Sequence, residues 1–281
     1  MEFRAIPADD TWLTRHAALM AACFPGTAKF TVPYLRWLYL DNPDGPVAGF
    51  DAHEGDTLAA HYACIPATAM IDGRASRVLL SLNTATHPAH QGRGLFTRLA
   101  QATYDAAAQA GFSAVYGVAN ANSTPGFVRK LGFQLVRPLD AQIGVGAIGI
   151  DAAAIASAAF RRTWSPAAAG WRASSPANEV HARVAHGVLQ CHARAAGPLL
   201  SAYCEYPLDH APDMARSHSA PGPLRLHLGL QTRARRPRTY VAIPERLKPS
   251  PLNLIYLSLD GRHARLAADD VSFTFLDFDA Y

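Results

Sequence analysis

The sequence predicts an α/β (α+β) fold with a mixed, mostly antiparallel central sheet flanked by helices. Three observations support this class. Strand-like alternation of apolar and polar residues runs through positions 48–86, a glycine-rich turn then leads into a helical segment at position 95, and another strand and helix follow. Alternation with a period of two is typical of strands, and apolar positions repeating every 3.6 residues are typical of helices.

The first half can be divided into elements in chain order. Residues 11–23 and 32–40 have helical patterns, and residues 48–86 form three antiparallel strands joined by Gly-Asp and Asp-Gly turns. Residues 95–110 are predicted as a helix that Gly111 ends, and residues 112–122 as a buried strand. A short helix in 123–133 would have Ser123 or Thr124 as its N-cap and Gly132 just past its end.

The second half has a weaker pattern. Residues 151–170 are rich in alanine and partly helical, and several later runs alternate again, which predicts a second sheet or an extension of the first. Residues 210–224 read as a long loop. We therefore expect a unit at residues 1–149 and a second, sheet-containing unit at residues 150–281.

Composition excludes several classes of protein. The sequence has no apolar run of 18 residues and no signal-like N-terminus, so we expect a cytoplasmic protein without membrane contact. The four cysteines lie far apart and form no metal-binding spacing, so no metal is expected. The net charge is only +4, and the arginine cluster at residues 233–238 lacks interleaved aromatic residues. A solvated loop is favoured there, and no nucleic-acid partner is expected.

The stretch TATHPAHQGRGLFT, residues 84–97, carries the strongest functional signal. A glycine-rich turn between a strand and a helix directs several backbone N–H groups into one concavity at the positive end of the helix dipole, where phosphate groups bind. The Walker motif requires Gly-Lys-Ser/Thr after its first glycine and four further residues, and this chain has no such string. The dinucleotide-binding motif requires a third glycine, where this chain has Phe96 and Thr97.

The turn instead resembles that of the GCN5-related N-acetyltransferase (GNAT) superfamily. The string QGRGLF at residues 91–96 follows His87 and Pro88, and VRKLGF at residues 128–133 follows downstream in the order typical of that family. The resemblance covers residues 45–145 and implies the GNAT fold and an acyl-CoA co-substrate, acetyl-CoA or another acyl-CoA. The end of the chain resembles larger members in which a degenerate or acceptor-binding half follows the transferase half.

The resemblance also implies roles for individual residues. The pantetheine arm would contact Thr84, Ala85 and Thr86, and the wall beside the thioester would contain Asn120, Asn122 and Phe127. The pyrophosphate cradle would comprise Gln91, Gly92, Arg93, Gly94, Leu95, Phe96 and Thr97. Two positions depart from the family pattern. Phe96 replaces a small residue, and Val128 stands where many members have a tyrosine that protonates the leaving thiolate.

The general base is less clearly marked. The candidates on the central strands are His61 and His87, with Asn83 as a polar orienting group. His61 shares a face with Ala59 and Ala63, which would leave space around its ring, whereas His87, next to Pro88, is favoured as a turn residue. A water relay without a single base remains an alternative. Transfer would proceed by direct attack of an amine on the thioester.

The sequence thus predicts an acyl-CoA-dependent N-acyltransferase that acts on a primary amine of a small molecule, with an amino sugar as one acceptor class. A non-catalytic acyl-CoA-binding or protein-interaction module is the main alternative, and an acyltransferase with Cys64 as nucleophile is another. The cluster at residues 233–238 could contact a phosphate on the acceptor or the 3′-phosphate of the cofactor. A homodimer is an open alternative for the assembly.

Overall fold

A computed structural model describes residues 1–231, 239–248 and 250–279. The arginine cluster at residues 233–238 lies outside the described residues, so its expected role remains a prediction. Within the described part of the chain, no helix combines the length and apolar character needed to cross a bilayer.

The helices begin and end close to the predicted positions. They are α1 (Leu13–Cys23), α2 (Val32–Tyr39), α3 (Leu95–Gln109), α4 (Thr124–Leu131), α5 (Ala152–Ala156) and α6 (Pro166–Ala173). The Thr31 hydroxyl caps α2 by accepting the N–H of Tyr34, and Gly132 ends α4 with φ of 74°. The expected cap at the start of α4 is wrong in one respect, because the Ser123 side chain hydrogen-bonds to Asn120 and not to the helix.

The described residues also contain fifteen strands. In chain order they are β1 (Glu2–Ala5), β2 (Ala48–Glu54), β3 (Thr57–Ile71), β4 (Arg74–Thr86), β5 (Ala114–Ala119), β6 (Gln134–Pro138), β7 (Asp140–Gly144), β8 (Phe160–Thr163), β9 (His181–Ala185), β10 (Val188–Ala196), β11 (Leu200–Pro207), β12 (Leu224–Gly229), β13 (Tyr240–Ala242), β14 (Asn253–Ser258) and β15 (Val271–Ser272).

The first sheet has the order β1-β2-β3-β4-β5-β14-β6, and β8 and β15 extend it beside the far end of β3. β2, β3 and β4 are antiparallel, as predicted, and β4 and β5 are parallel. The second sheet has the order β13-β7-β12-β11-β10-β9. Both sheets are mostly antiparallel, which confirms the predicted class.

The two parts of the chain exchange strands. β14, from the end of the chain, lies between β5 and β6 of the first sheet, and β7 lies in the second sheet. The alternation in residues 271–278 extends as a strand only over β15. The rest forms a turn because the Asp277 carboxylate accepts the backbone N–H of Thr274 at 2.6 Å, while the phenylalanine rings of this segment enter the core.

Apolar layers cover both faces of the first sheet. One layer joins α1 and α2 to the C-terminal segments, and the other lies under α3 and α4. Trp37 of α2 and Trp171 of α6 stack with ring centroids 4.6 Å apart, and each indole N–H donates to the other residue's backbone oxygen. This reciprocal contact fixes the second half against the helices beside the candidate site.

Candidate active site

A β-bulge at Asn83 opens a cleft between β4 and β5. The two strands pair only from Val78 and Ala114 to Ser81 and Gly117. Just beyond, the register of β3 against β4 shifts, and Asn83 is the extra residue, with φ of 42°. Asparagine tolerates this left-handed conformation better than most residues. The bulge therefore separates β4 from β5, and one edge of β4 faces the gap.

The gap holds a cavity of about 510 Å³. Its walls come from the segment between α1 and α2, from the diverging strands, from the start of α3, from α4 and from Ile255 of β14. The lining residues carry no formal charge, and they are Phe24, Phe30, Ser81, Leu82, Asn83, Thr84, Phe96, Gly117, Val118, Asn120, Asn122, Ser123, Gly126, Phe127 and Ile255. Such a cavity suits a mainly apolar guest held by a few polar groups.

The glycine turn lies at the N-terminus of α3. Gly92 and Gly94 have φ of 77° and 68°, and a Cβ atom on either would meet no atom within 4 Å. The Arg98 N–H donates to the Gly94 oxygen as the first hydrogen bond of the helix, so the preceding N–H groups at residues 95–97 have no partner inside it. An open turn with outward N–H groups at a 15-residue helix is suited to an anion.

The side chains of the turn are partly engaged with the protein itself. Arg93 donates to Glu54 at 2.9 Å, and both groups are about half exposed. Gln91 donates to the Thr86 oxygen at 3.4 Å, and Leu95 is buried in the core beneath α3. Anion contacts in this turn thus depend mainly on backbone N–H groups, with Arg93 available only if its exposed ion pair opens.

Phe96 fits where a small residue was expected because Gly126 faces it. A Cβ atom on Gly126 would lie 2.9 Å from Cε1 of Phe96. The Phe96 ring also meets Phe127 edge-on at 5.1 Å and Tyr62 at 6.0 Å between centroids. Phe96 therefore closes the inner wall of the cavity by packing α3 onto α4.

Asn120 and Asn122, both predicted at the thioester wall, line the cavity in different ways. The Asn120 carboxamide oxygen accepts the N–H groups of Asn122 and Ser123, each at 3.0 Å, and so holds the loop before α4. Asn122 is exposed at the cavity mouth. Thr84 also lines the cavity, whereas the Ala85 side chain is buried in a cluster with Leu19, Met20 and Leu58.

The space expected around His61 is absent. Its ring is completely buried, with Nδ1 2.6 Å from Oδ1 of Asp51 and Nε2 2.8 Å from the Tyr39 hydroxyl. The Tyr39 hydroxyl also accepts Nδ2 of Asn83 at 3.0 Å, and Oδ2 of Asp51 lies 2.8 Å from Nε2 of His16. Within the described part of the chain, the hydrogen bonds of His61 lead to the cavity through Tyr39 and Asn83.

Burial and hydrogen bonding set the charges in this chain of side chains. Burial lowers the pKa of His61 and raises the pKa of Tyr39. Burial works to raise the pKa of Asp51, but the hydrogen bonds and charges of His16 and His61 outweigh it and hold that pKa far below its usual range. At neutral pH this series of hydrogen-bonded side chains therefore consists of Asp51 as a carboxylate, neutral His61 and neutral Tyr39.

His16, Asp51 and His61 form a histidine–carboxylate group of the kind that binds metals. Ligands at about 2.0–2.2 Å from one tetrahedral ion lie about 3.3 Å apart. The N···O separations of 2.6 and 2.8 Å are hydrogen-bond lengths, and the three side chains are fully buried. The geometry is that of a hydrogen-bonded triad.

A second buried chain of hydroxyl groups reaches the cavity at Ser81. The Tyr62 hydroxyl lies 2.7 Å from Oγ of Ser81 and 2.5 Å from the Tyr104 hydroxyl. Val128, which stands at the expected tyrosine position, does not line the cavity. Ser81 is one of the hydroxyl residues that line the cavity, with Thr84 and Ser123.

Most of the residues of this site lie in a segment that matches a known protein-family model. The family model for the acetyltransferase (GNAT) domain matches residues 5–136. Residues 5–136 belong to the GNAT acetyltransferase family. The match begins near the end of β1 and ends in β6, so it contains the bulge, the glycine turn and α4. A search of curated proteins gives no significant match.

Solved structures extend the similarity in fold beyond the GNAT domain. Eis1 from Mycobacterium abscessus is 12% identical, with a TM-score of 0.59, over 92% of this chain and 74% of that chain. A GCN5-related N-acetyltransferase from Anabaena variabilis ATCC 29413 is 11% identical, with a TM-score of 0.59, over 91% and 72% of the two chains. The fold of the GNAT domain together with its C-terminal part is thus shared with larger GNAT proteins.

Proposed function

We propose that this GNAT protein transfers an acetyl or short acyl group from acyl-CoA to a primary amine of a small molecule. The observation that carries the proposal is the cleft opened by the Asn83 bulge, which is lined by Phe96, two residues after the open turn at residues 91–94. An anion site next to an apolar cleft matches a co-substrate with a pyrophosphate at one end and a thioester at the other.

The turn, the edge of β4 and the cavity would together bind acyl-CoA in a single orientation. The pyrophosphate would meet the N–H groups at residues 92–97, and the pantetheine arm would run along the unpaired edge of β4 at Thr84, Ala85 and Thr86. The thioester would then lie in the cavity beside Asn83, Phe96 and Phe127, with Asn120 and Asn122 across from it. Backbone and amide donors in such a site contribute about 10²- to 10³-fold each to stabilising a tetrahedral oxyanion.

Direct attack of the amine on the thioester requires few catalytic side chains beyond those that position the two substrates. A thiolate with a pKa near 8.5 leaves readily, and general acid catalysis adds about 10²- to 10⁴-fold. Because Val128 cannot donate a proton, we propose that Ser81, supported by Tyr62, is the nearest donor for the leaving sulfur. His61 has no path of its own to the acceptor, so we propose that it acts through Tyr39 and Asn83, and that water removes the amine proton.

The division at residue 149 also remains a proposal. Residues 1–149 would bind acyl-CoA, and residues 150–281 would form a degenerate GNAT-like or acceptor-binding half. Ile255, which lines the cavity, supports a contribution of the second half to the acceptor site. Amino sugars remain one acceptor class, and the cytoplasm, where acyl-CoA is available, is the proposed location.

The test is release of free thiol from acetyl-CoA in the presence of amines. Simple alkylamines, arylalkylamines, amino sugars and nucleotide-linked amino sugars form the panel. Turnover with any of them supports the transferase. Tight CoA binding without turnover on the whole panel would favour the alternative, a non-catalytic acyl-CoA-binding or protein-interaction module, for which the missing tyrosine at Val128 is the supporting observation.

A further inference from the structure

The hydrogen-bond chain that ends at Asn83 has a fixed direction. Asp51 is its inner end, completely buried and paired with two histidines. An ionised carboxylate only accepts hydrogen bonds, so Nδ1 of His61 must carry the proton and donate it to Asp51. The direction of each later bond follows from this one.

The next two bonds follow from the neutral state of His61. With its proton on Nδ1, the ring presents Nε2 as an acceptor, so the Tyr39 hydroxyl must donate to it. The hydroxyl oxygen then has only lone pairs left for its other neighbour, and Asn83 must present its NH₂ group to Tyr39 at 3.0 Å. The orientation of the Asn83 amide is therefore required by the carboxylate of Asp51, three side chains away.

We propose that this chain makes Asn83 a hydrogen-bond acceptor in the cavity, and that its Oδ1 binds an N–H of the amine that attacks the thioester. Asn83 lines the cavity, and its Nδ2 is already bound to Tyr39, so Oδ1 is the polar atom left for a ligand. The proposal rests on the proposed transferase function. Tyr39, His61 and Asp51 are then positioning residues, because they act through Asn83.

A hydrogen-bond acceptor at Asn83 suits the chemistry of the cavity. The described residues that line the cavity include no carboxylate that could receive an amine, and Asn83 lies where β4 no longer pairs with β5. An amide oxygen cannot remove a proton, but it can hold the nitrogen so that its lone pair points at the thioester carbon. The inferred role is therefore orientation of the amine, and it should appear in amine binding more than in CoA binding.

The backbone conformation of Asn83 allows a substitution that removes its side chain without straining the bulge. Because Asn83 has φ of 42°, Asn83→Gly retains a residue that favours this conformation while it removes the amide. Tyr39→Phe retains the amide but releases its orientation. Tyr206→Phe is the matched control, because Tyr206 is also buried and its hydroxyl contacts one side chain, Thr274, in the second half.

The kinetic experiment measures kcat and KM for the best amine of the panel and the Kd for CoA by calorimetry. For Asn83→Gly we expect kcat/KM for the amine to fall about 10-fold or more, the loss typical of a hydrogen bond to a charged or reacting group, with CoA affinity unchanged within about twofold. Tyr39→Phe should raise the amine KM, and Tyr206→Phe should leave it unchanged. A kcat/KM for the amine within twofold of the parent in Asn83→Gly would overturn the inference.

A second measurement does not depend on turnover. Side-chain amide exchange is followed by NMR in protein carrying ¹⁵N-labelled asparagine, and the Asn83 signal is assigned by its loss in Asn83→Gly. We expect one Nδ2 proton of Asn83 to exchange at least about 10-fold more slowly than those of exposed Asn122, and Tyr39→Phe to remove this protection. Equal exchange of Asn83 and Asn122 would refute the inferred direction, whereas failure of every amine to react would refute the proposed function.

Discussion

The contact between Phe96 and Gly126 yields a prediction whose magnitude follows from the structure. In Gly126→Ala, the new methyl group would lie 2.9 Å from Cε1 of Phe96, closer than atoms can pack, and the ring is confined by Phe127 and Tyr62. Overpacking of this kind costs about 1–3 kcal/mol, and replacing a helical glycine by alanine returns about 1 kcal/mol. The variant should lose about 0–2 kcal/mol of its free energy of unfolding.

A double-mutant cycle isolates the clash. In a Phe96→Ala background the methyl group has space, so Gly126→Ala should be neutral or stabilising, and the coupling free energy should be about 1–3 kcal/mol. Gly170→Ala in α6 is the control, because a Cβ atom there meets nothing within 4 Å and only the helical gain remains. Urea denaturation with equal m-values measures each free energy. Coupling below about 0.5 kcal/mol would show that Gly126 does not make room for Phe96.

Two further predictions concern buried titratable groups. Burial lowers the pKa of His227 to about 4. Between about pH 6.5 and 4, His227 therefore binds a proton in the unfolded chain but not in the folded chain. Its contribution to the free energy of unfolding should fall by about 1.4 kcal/mol per pH unit as the pH decreases. Urea denaturation from pH 7.5 to 5 should give a slope in the parent that exceeds the slope in His227→Gln by about 1.4 kcal/mol per pH unit, and equal slopes would contradict the prediction. The exposed His186→Gln is the control. Burial raises the pKa of the Cys64 thiol to about 12, so Cys64→Ala should retain full transferase activity, and loss of activity would revive Cys64 as a nucleophile.

The elements around the site could be predicted because their signals are local. Alternation, the glycine turn and the stop at Gly132 each depend on a few neighbouring residues, and the structure confirms the strands and helices they predict. The exchange of strands between the two halves could not be predicted. The run that forms β14 has the pattern of a buried strand, but nothing local indicates that its neighbours are β5 and β6.

The environment of His61 was predicted incorrectly for a related reason. Small residues on either side of a histidine suggest free space on a strand, but the ring of His61 is covered by helices α1 and α2, whose docking the strand pattern does not describe. One signal was present in the sequence. The β2–β3 hairpin places Asp51 directly opposite His61, so hairpin register alone could have indicated a carboxylate partner. Tyr39 and His16 belong to separate helices and required the tertiary structure.

Calorimetric titration with acetyl-CoA, comparing the parent with Gly94→Asp, tests the central claim most directly. Asp tolerates the left-handed conformation of Gly94 and is favourable for a helix N-terminus, so the variant should fold while placing a negative charge in the anion turn. Gly73→Asp, in the distant β3–β4 turn with φ of 77° and open space, is the control. We predict micromolar binding by the parent and control, and binding at least about 10-fold weaker in Gly94→Asp. Binding by the parent only in the millimolar range, or equal binding by Gly94→Asp, would contradict an acyl-CoA site at this turn.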